Sequence, residues 1–399
     1  MILSNNEAAL AAVKALSSEE IIAMVKAADL MEYGSEAISV FEKWEAAGNA
    51  KIVVGALNNA DTETMLTIIA KENPIGVVAG LAAAVKAIGA ESALLILADG
   101  EANEKLTALA KEAGVPLIIE AEKMVDIRAH AEDVLMHLET LAAIANILTA
   151  KTYGTVISVN GETPVEIPFG TKLGDVIKAD GVKALLINHK FYPASVLETP
   201  ITPDFPIGSG VITVVKDTDC IVSQTVKALR DLRAKSCGKC TFCREGLFQL
   251  HTIFIDISQG KAKDPDMDLA AELCDAMTFS TLCTLGKEAS APVLSALEGF
   301  RGEIDSHIKK KVCPTGMCTA FTTLYVDPTK CEGCGECIDV CPADCIEGKS
   351  GYISIIDEFD CTKCGKCLEA CPNGAIQRTT GRLPKLPDHL TRVGRFRKN

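Results

Sequence analysis

The placement of cysteine constrains this chain more than any other feature of its sequence. The chain has 399 residues and 17 cysteines, and every cysteine lies between Cys220 and Cys371. An odd number cannot pair completely in disulfides, and a secreted disulfide scaffold would be short and would begin with a signal peptide. The first sixteen residues, MILSNNEAALAAVKAL, lack the basic region and cleavage site of such a peptide. We therefore expect metal-ligating thiols in a reducing compartment, the cytoplasm.

Composition argues against two classes of partner. The formal net charge is −13, whereas binding to nucleic acid requires a basic surface. The most apolar stretch, residues 76–97, contains Lys86 and Glu91 and falls short of the roughly 20 uncharged residues of a membrane span. With 48% hydrophobic residues the chain can still bury a substantial core. We expect a globular protein with no nucleic-acid partner and no membrane span.

Eight cysteines form a duplicated motif, C-x2-C-x2-C-x3-C-P, whose two copies are offset by 30 residues. This is the bacterial ferredoxin pattern for two [4Fe–4S] clusters, in which the fourth ligand of each cluster is the last cysteine of the other copy. The alternative is a pair of zinc knuckles, which usually lack both the C-P ending and the duplication. The expected ligand sets are Cys331, Cys334, Cys337 and Cys371 for one cluster, and Cys361, Cys364, Cys367 and Cys341 for the other.

A second cysteine group lies upstream of the duplicated motif. Cys237, Cys240 and Cys243 occur in the segment SCGKCTFCREG, and Cys283 follows in STLCTLG. Four thiolates are enough for a third [4Fe–4S] cluster. Spacing alone leaves zinc as an alternative for this group.

The wording around this upstream group resembles a known family. SCGKCTFCREG followed by STLCTLGKEASAPVLSAL closely resembles the cluster-binding end of the flavin subunit of respiratory complex I. It is also similar to the corresponding subunits of NAD-linked hydrogenases and formate dehydrogenases. The resemblance implies that Cys237, Cys240, Cys243 and Cys283 hold a [4Fe–4S] cluster in a helical bundle beside a flavin. The preceding VNGETPVEIPFGTKLGDVI resembles the family's β-grasp domain, and the appended ferredoxin segment resembles the β subunit of electron-bifurcating hydrogenases.

The amino-terminal third departs from the family's flavin domain. Residues 52–64 resemble the segment that usually reads as a strand followed by NADEGEP, and residues 137–141 are similar to its NVETL. The glycine-rich GRGGAGFP loop is absent from the sequence, where only the isolated Gly34 and Gly48 precede residue 52. Such loops let backbone N–H groups approach phosphate closely. We therefore expect an eroded flavin domain that does not bind FMN.

Five cysteines lie outside these three sets, and two of them have a chelating spacing. Cys313 and Cys318 bracket Pro-Thr-Gly-Met, and His307 lies six residues before them. Three cysteines and one histidine are a common structural zinc set, and the resemblance to the bifurcating hydrogenases implies such a site at this junction. We predict that Cys220, His307, Cys313 and Cys318 bind zinc, the alternative being a buried or free thiol at Cys220 and an exposed turn at His307. Cys274 and Cys345 are expected to be small core residues.

Together these patterns predict a multidomain α/β and α+β protein. The expected parts are an eroded flavin-domain-like α/β region (1–150), a β-grasp module (151–216), a helical bundle with a [4Fe–4S] site (217–312), a ferredoxin domain with the zinc-junction cysteines (313–376) and a basic tail (377–399). The tail has seven Lys or Arg residues against one Asp and either is solvated or docks on an acidic partner.

Apolar spacing also predicts individual elements. Helices are expected over residues 8–26, 30–47 and 170–179, and strands over 52–54, 93–97, 115–119 and 210–215. A hairpin is expected between residues 156 and 167, turning at Asn160-Gly161.

The predicted function is that of an iron–sulfur subunit of a cytoplasmic oxidoreductase complex, relaying single electrons without a substrate site of its own. The expected cofactors are three [4Fe–4S] clusters and one zinc, and the expected partners are a flavoprotein, other iron–sulfur subunits and a soluble ferredoxin. The resemblance further implies an NAD- and ferredoxin-linked, electron-bifurcating assembly in an anaerobe. One alternative is an NADH dehydrogenase subunit that binds FMN and NAD in an altered site. Another is a metal-stabilised scaffold without redox activity.

Overall fold

The computed structural model describes residues 6–33, 38–98, 100, 103–380 and 382–396. The chain falls into two compact units, each built from several segments. The first unit comprises Met1–Asp217, Lys227–His251 and Leu269–Gly299, and the second comprises Thr218–Val226, Thr252–Asp268 and Phe300–Asn399. The predictions that touch Gly34 and the tail residues Arg397 and Lys398 fall outside the described residues.

The first unit begins with three short helices, α1 (Ala9–Ala15), α2 (Ser18–Ala27) and α3 (Val40–Glu45). The single helix expected over residues 8–26 is wrong, because the chain is extended at Leu16 and restarts at a capping box. Ser17 Oγ accepts from the backbone N–H of Glu20 at 3.2 Å, and the Ser17 N–H donates to the Glu20 carboxylate at 2.7 Å. Of the helix expected over residues 30–47, only Val40–Glu45 is helical within the described residues.

A four-stranded parallel sheet follows, with strand order β3-β2-β1-β4. Its elements in chain order are β1 (Ile52–Ala56), α4 (Thr67–Glu72), α5 (Pro74–Ile88), β2 (Ser92–Leu97), α6 (Asn103–Ala113), β3 (Leu117–Ala121), β4 (Val134–His137) and α7 (Leu138–Ile147). Three of the strands match the expected positions to within two residues, whereas the four-residue β4 was not foreseen. Helices α5 and α7 pack so closely that a Cβ at Gly80 would lie 1.9 Å from the Leu141 carbonyl oxygen, so only glycine fits there.

The next section is a five-stranded mixed sheet of order β6-β5-β9-β7-β8. It contains β5 (Gly154–Val159), β6 (Val165–Pro168), α8 (Leu173–Val176), β7 (Val182–Ile187), β8 (Lys190–Pro193), a 3-10 turn (Ala194–Glu198) and β9 (Val211–Lys216). The expected hairpin is present as the antiparallel pair β5–β6, and the expected last strand is β9, which runs parallel to β5. The β7–β8 hairpin was missed because its turn contains no glycine, although Asn188 and His189 both have positive φ angles of 47° and 64°.

Helices dominate the middle of the chain. They are α9 (Ile221–Lys235), α10 (Thr241–Ser258), α11 (Pro265–Ser280), α12 (Thr284–Glu288), α13 (Ala291–Gly299) and α14 (Arg301–Ile308). A 3-10 turn at Thr319–Phe321 then leads into the duplicated segment. The upstream cysteines lie at or near the ends of these helices rather than in their centres.

The duplicated segment of the second unit repeats its backbone as well as its sequence. Its elements are β10 (Thr323–Val326), α15 (Glu336–Asp339), β11 (Ile346–Glu347), β12 (Ile355–Ile356), α16 (Lys366–Ala370) and β13 (Ile376–Thr379). β10 pairs antiparallel with β13 and β11 pairs antiparallel with β12. Gly335 and Gly365, 30 residues apart, precede the two helices with φ angles of 90° and 83°. The molecule is thus a mixed α/β protein with a parallel sheet and a ferredoxin-like segment.

Candidate metal centres

The most compact group of metal-ligating side chains contains Cys220, His307, Cys313 and Cys318. Their ligand atoms all lie within 4.8 Å of one another, and all four residues are buried. Cys220 immediately precedes α9, His307 lies on α14, and the other two cysteines occupy the loop that follows α14. Residues up to 98 positions apart therefore meet at one point, as the sequence predicted.

The spacing of this group fits one tetrahedral ion. Zn–S bonds of about 2.3 Å and Zn–N bonds of about 2.0 Å place two sulfurs about 3.8 Å apart and a sulfur and a nitrogen about 3.5 Å apart. Cys220 Sγ lies 3.6 Å from Cys318 Sγ and 3.4 Å from His307 Nε2. A donor set of three thiols and one imidazole is also the composition that zinc prefers.

Neighbouring groups hold these side chains in position. His307 Nδ1 donates to the carbonyl oxygen of Glu303 at 2.8 Å, which leaves Nε2 facing the sulfurs. Ser223 Oγ lies 3.3 Å from Cys318 Sγ, and the Cys318 backbone N–H donates to Cys313 Sγ at 3.5 Å. The site is therefore organised by backbone and hydroxyl contacts as well as by its four ligand side chains.

The upstream group surrounds the start of α10. Cys237 and Cys240 lie in the loop before that helix, Cys243 lies in its first turn, and Cys283 immediately precedes α12. Burial raises the pKa of the Cys243 thiol, and the charges of the other three cysteines raise this pKa further. The structure thus brings the four predicted residues together. They are less enclosed than the group of Cys220, His307, Cys313 and Cys318, called the zinc-type group below, because Cys237 is exposed and Cys243 alone is buried.

A cavity of about 430 Å³ opens beside three of these cysteines. Its other wall is the segment from Glu122 to Arg128. Lys239 Nζ donates to the Asp126 carboxylate at 2.5 Å, and Arg128 Nη2 lies 3.9 Å from Cys240 Sγ. The segment is therefore tied to the cysteine loop by polar contacts at the rim of the cavity.

Two residues of the segment that resembles the family's flavin motif, Asn59 and Asp61, are occupied by internal contacts. Asp61 is fully buried, and its carboxylate accepts the backbone N–H groups of Met65 and Leu66, each at 3.0 Å. The Asn59 side chain makes two hydrogen bonds to the backbone of Val125, at 2.8 and 3.0 Å. These side chains are used to fix the loop after β1.

The duplicated segment brings cysteines of its two copies together. Four of the eight line one small cavity, namely Cys331, Cys334, Cys337 and Cys371. The fourth of these comes from the other copy, as the pattern predicted. In the second set, the pKa of Cys367 is raised to about 11, first by burial and then by the charges of nearby thiols, namely Cys361, Cys337, Cys364 and Cys341.

The spread of these sets suits polynuclear centres. Within the described residues, only the zinc-type group has at least three ligand atoms this close together. The thiolates of a [4Fe–4S] cluster bind separate irons and so stand farther apart than the ligands of one ion. Cys345, expected to be a core residue, is buried but lies 3.5 Å from Cys341, Sγ to Sγ. Its place in the repeat, aligned with Ala375, could have drawn attention to it.

Comparison with known families identifies two iron–sulfur segments. Residues 224–307 match the NADH-ubiquinone oxidoreductase-F iron-sulfur binding region, and residues 330–376 match the 4Fe-4S dicluster domain. The first segment contains the upstream cysteines and the second contains the duplicated motif. The resemblance to the complex I flavin subunits and to dicluster ferredoxins is therefore confirmed over these two segments.

Individual relatives point the same way. The chain is 39% identical over 142 residues to the NADP-reducing hydrogenase subunit HndC of Solidesulfovibrio fructosivorans, covering 36% of this chain and 29% of that protein. It is 27% identical over 216 residues to a subunit of the NADH-quinone oxidoreductase of Mycobacterium bovis, covering 45% of this chain and 48% of that protein. The chain thus spans less than half the length of either relative.

A solved structure supports the fold. The crystal structure of an NAD+-reducing [NiFe]-hydrogenase in the H2-reduced state superposes with a TM-score of 0.63 at 20% identity. The match covers 77% of this chain and 65% of that one. None of the helices in the described residues combines the length and the apolar character that crossing a membrane requires.

Proposed function

We infer that this chain is an electron-transfer subunit of a multisubunit oxidoreductase and relays single electrons between a partner's flavin and other iron–sulfur centres. The observation that carries this proposal is the set of twelve cysteines in three groups of four, within or beside segments that match iron–sulfur families. When bound, [4Fe–4S] clusters accept and donate one electron at a time. The chain's own residues hold the clusters and control their surroundings.

Each group of four has a proposed role as a ligand set. The upstream set is Cys237, Cys240, Cys243 and Cys283, and the two exchanged sets are Cys331, Cys334, Cys337 and Cys371, and Cys361, Cys364, Cys367 and Cys341. Their support is the motif spacing together with the cavity and the electrostatic contacts described above. Cys220, His307, Cys313 and Cys318 are proposed to bind a structural zinc, supported by the tetrahedral spacing of their ligand atoms.

The finer domain assignments belong to the same proposal. The parallel sheet within residues 1–150 is interpreted as an eroded flavin domain, and the mixed sheet within residues 151–216 as a β-grasp module. Residues 217–312 are interpreted as the helical cluster-binding section, residues 313–376 as the ferredoxin domain, and residues 377–399 as the tail. The strand orders and the β5–β6 hairpin support these labels.

The proposed partners are a flavoprotein and a second iron–sulfur protein. Because Asp61 and Asn59 are used internally, we propose that FMN is held by a partner flavoprotein rather than by this chain. A soluble ferredoxin or another iron–sulfur subunit would take the electrons onward. The proposed setting is the cytoplasm of an anaerobe, in an NAD- and ferredoxin-linked and electron-bifurcating assembly.

One observation favours a second candidate function, an NADH dehydrogenase subunit with an altered flavin site. The cavity beside Cys237, Cys240 and Cys283 is of a size that small cofactors occupy. Acid treatment of the isolated chain would release flavin if this candidate were correct. A colourless, flavin-free supernatant together with no NADH-driven dye reduction would eliminate it.

The relay proposal is tested by the metal content of the anaerobically purified chain. Three clusters and one zinc predict about 12 iron and 1 zinc per chain. Cys283→Ala should lower the iron content by about a third, whereas Cys274→Ala, at a buried cysteine outside the sets, should leave it unchanged. About 8 iron with 2 zinc would mean that the upstream group is a zinc site. Iron that dithionite cannot reduce would favour a scaffold without redox activity.

A further inference from the structure

The two copies of the duplicated segment are equivalent at the level of backbone hydrogen bonds. The Asp327 N–H donates to the Ala375 carbonyl at 2.7 Å, and the Asp357 N–H donates to the Cys345 carbonyl at 2.8 Å. The second donor, Asp357, lies 30 residues after the first donor, and the second acceptor, Cys345, lies 30 residues before the first acceptor. Cys345 and Ala375 therefore occupy matching places, each four residues after the last cysteine of its copy.

These matching places differ in what they present to the neighbouring sulfur. At Ala375 the backbone N–H donates to Cys371 Sγ at 3.2 Å, and the methyl side chain has nothing to donate. At Cys345 the buried thiol lies 3.5 Å from Cys341 Sγ. Cys341 is a proposed ligand, so as a thiolate it can only accept, and the hydrogen of this contact belongs to Cys345.

A second difference between the copies places a polar side chain beside the other ligand set. The Cys337 thiol donates to Ser354 Oγ at 3.4 Å, and both residues are buried. As a ligand thiolate Cys337 could only accept, so the Ser354 hydroxyl would then be the donor. The place equivalent to Ser354, 30 residues earlier, is Leu324, which has no polar group. Ser354 also lines the cavity that contains Cys331, Cys334, Cys337 and Cys371. Each proposed ligand set therefore has one side-chain donor that the other set lacks.

We propose that Ser354 and Cys345 are positioning residues that set the reduction potentials of the two ferredoxin-type clusters separately, Ser354 through Cys337 and Cys345 through Cys341. This inference rests on the proposed function, because it requires clusters at both sets. Reduction adds one electron from an external reductant and makes or breaks no bond in the protein. The added negative charge is shared with the ligand sulfurs, so a hydrogen bond to such a sulfur favours the reduced state.

The chemistry of the two donors ranks their effects. A hydroxyl is a stronger hydrogen-bond donor than a thiol, which donates only weakly. Removing the Ser354 hydroxyl should therefore lower the potential of its cluster by more than removing the Cys345 thiol lowers the other. Cys345→Ala also converts one copy to the arrangement that the other copy already has at Ala375.

The test is an anaerobic redox titration of the full chain with dithionite, followed by EPR, with iron counted in each variant. Ser354→Ala and Cys345→Ala should each move one reduction wave to a more negative potential at unchanged iron content, and the two should move different waves. Cys345→Ser, which places a stronger donor at the same position, should return the wave to the wild-type potential or above it. The double variant should move each wave by the shift that the corresponding single variant produces.

Three results would overturn the inference while leaving the relay intact. These are unchanged potentials at full iron content, movement of the same wave by both variants, and a loss of about four irons from Cys345→Ala, which would make Cys345 itself a ligand. A wild-type chain with no reducible clusters would instead overturn the proposed function, and this inference with it.

Discussion

The parallel sheet of residues 52–137 and the duplicated segment of residues 323–379 are held together by different means. The sheet packs on α5, whose residues from Val77 to Val85 are all buried, and its core is largely aliphatic. In the duplicated segment the strands are two to four residues long, and Cys337, Cys345 and Cys367 are part of the small buried core. One region buries a large aliphatic core, whereas the other has a small core of nine residues, three of which are cysteines.

This difference teaches where the folding free energy comes from. Burial of aliphatic side chains stabilises a sheet without any ligand, at about 25 cal/mol per Å² of apolar surface. A region whose aliphatic core is this small usually needs metal or disulfide cross-links, and metal binding then contributes directly to folding. The sheet should therefore be stable without metal, and the duplicated segment should depend on it.

The largest effect is expected when iron is removed. Treating the purified chain with an oxidant and a chelator should cause amides between residues 323 and 379 to exchange rapidly with deuterium. Amides of β1 and β2 in the same sample should stay protected, because their core contains no ligand. The measurement is hydrogen–deuterium exchange by mass spectrometry. Equal loss of protection in both regions would show that the sheet depends on metal as much as the duplicated segment does.

Loss of zinc should come next in size. His307→Ala removes one ligand of the Cys220, His307, Cys313 and Cys318 group and should reduce the zinc content from about one to zero per chain. Structural zinc contributes on the order of 10 kcal/mol in small zinc-dependent folds, so the loop carrying Cys313 and Cys318 should lose protection. His251→Ala, at a histidine outside the group, should keep both zinc and protection. A zinc-replete His307→Ala protein would contradict the assignment.

A smaller, pH-dependent effect is expected beside the sheet, at Glu139. Its carboxylate accepts from Thr155 Oγ1 at 2.9 Å and from the Val156 N–H at 2.7 Å, but burial raises its pKa from 4.5 to about 8. The folded state thus holds a proton that the unfolded state releases, so the free energy of unfolding falls as the pH rises from about 5 to about 8. The fall is at most roughly 4 kcal/mol.

Thermal unfolding between about pH 5 and 9 measures this effect. Glu139→Gln, which resembles the neutral carboxyl group, should flatten the pH dependence of the melting temperature. The exposed Glu132→Gln should leave that dependence as it is in the wild type. An unchanged slope in Glu139→Gln would show that another group is responsible.

The smallest effect is expected at the rim of the cavity. Asp126 and Lys239 form a partly exposed ion pair at 2.5 Å, and such pairs contribute less than about 1 kcal/mol. Asp126→Asn should lower the melting temperature slightly at low salt, and about 1 M salt should remove the difference. Iron content should not change. Loss of iron would mean that the 122–128 segment is needed to retain the upstream cluster.

The sequence predicted the two iron–sulfur segments better than the bounds of individual helices and turns. Cysteine spacing depends on ligand geometry, which is local, so the duplicated motif could be identified directly. The grouping of Cys220 with His307 was predicted from the spacing of Cys313 and Cys318, the usual ligand set of structural zinc and the family resemblance. In the structure Cys220 Sγ and His307 Nε2 lie 3.4 Å apart. Tertiary detail was less accessible: the break at Ser17 depends on one capping box, and the Asn188-His189 turn uses positive φ angles without glycine.

The exchange of Cys341 and Cys371 between the two copies has a consequence for how the segment can come apart. If both sets hold clusters as proposed, the two copies are cross-linked twice, because each copy supplies one ligand to the cluster of the other. A cut in the connection between the copies would then leave them joined until iron is removed. Native electrophoresis of a nicked chain would show this as one band that splits on chelation.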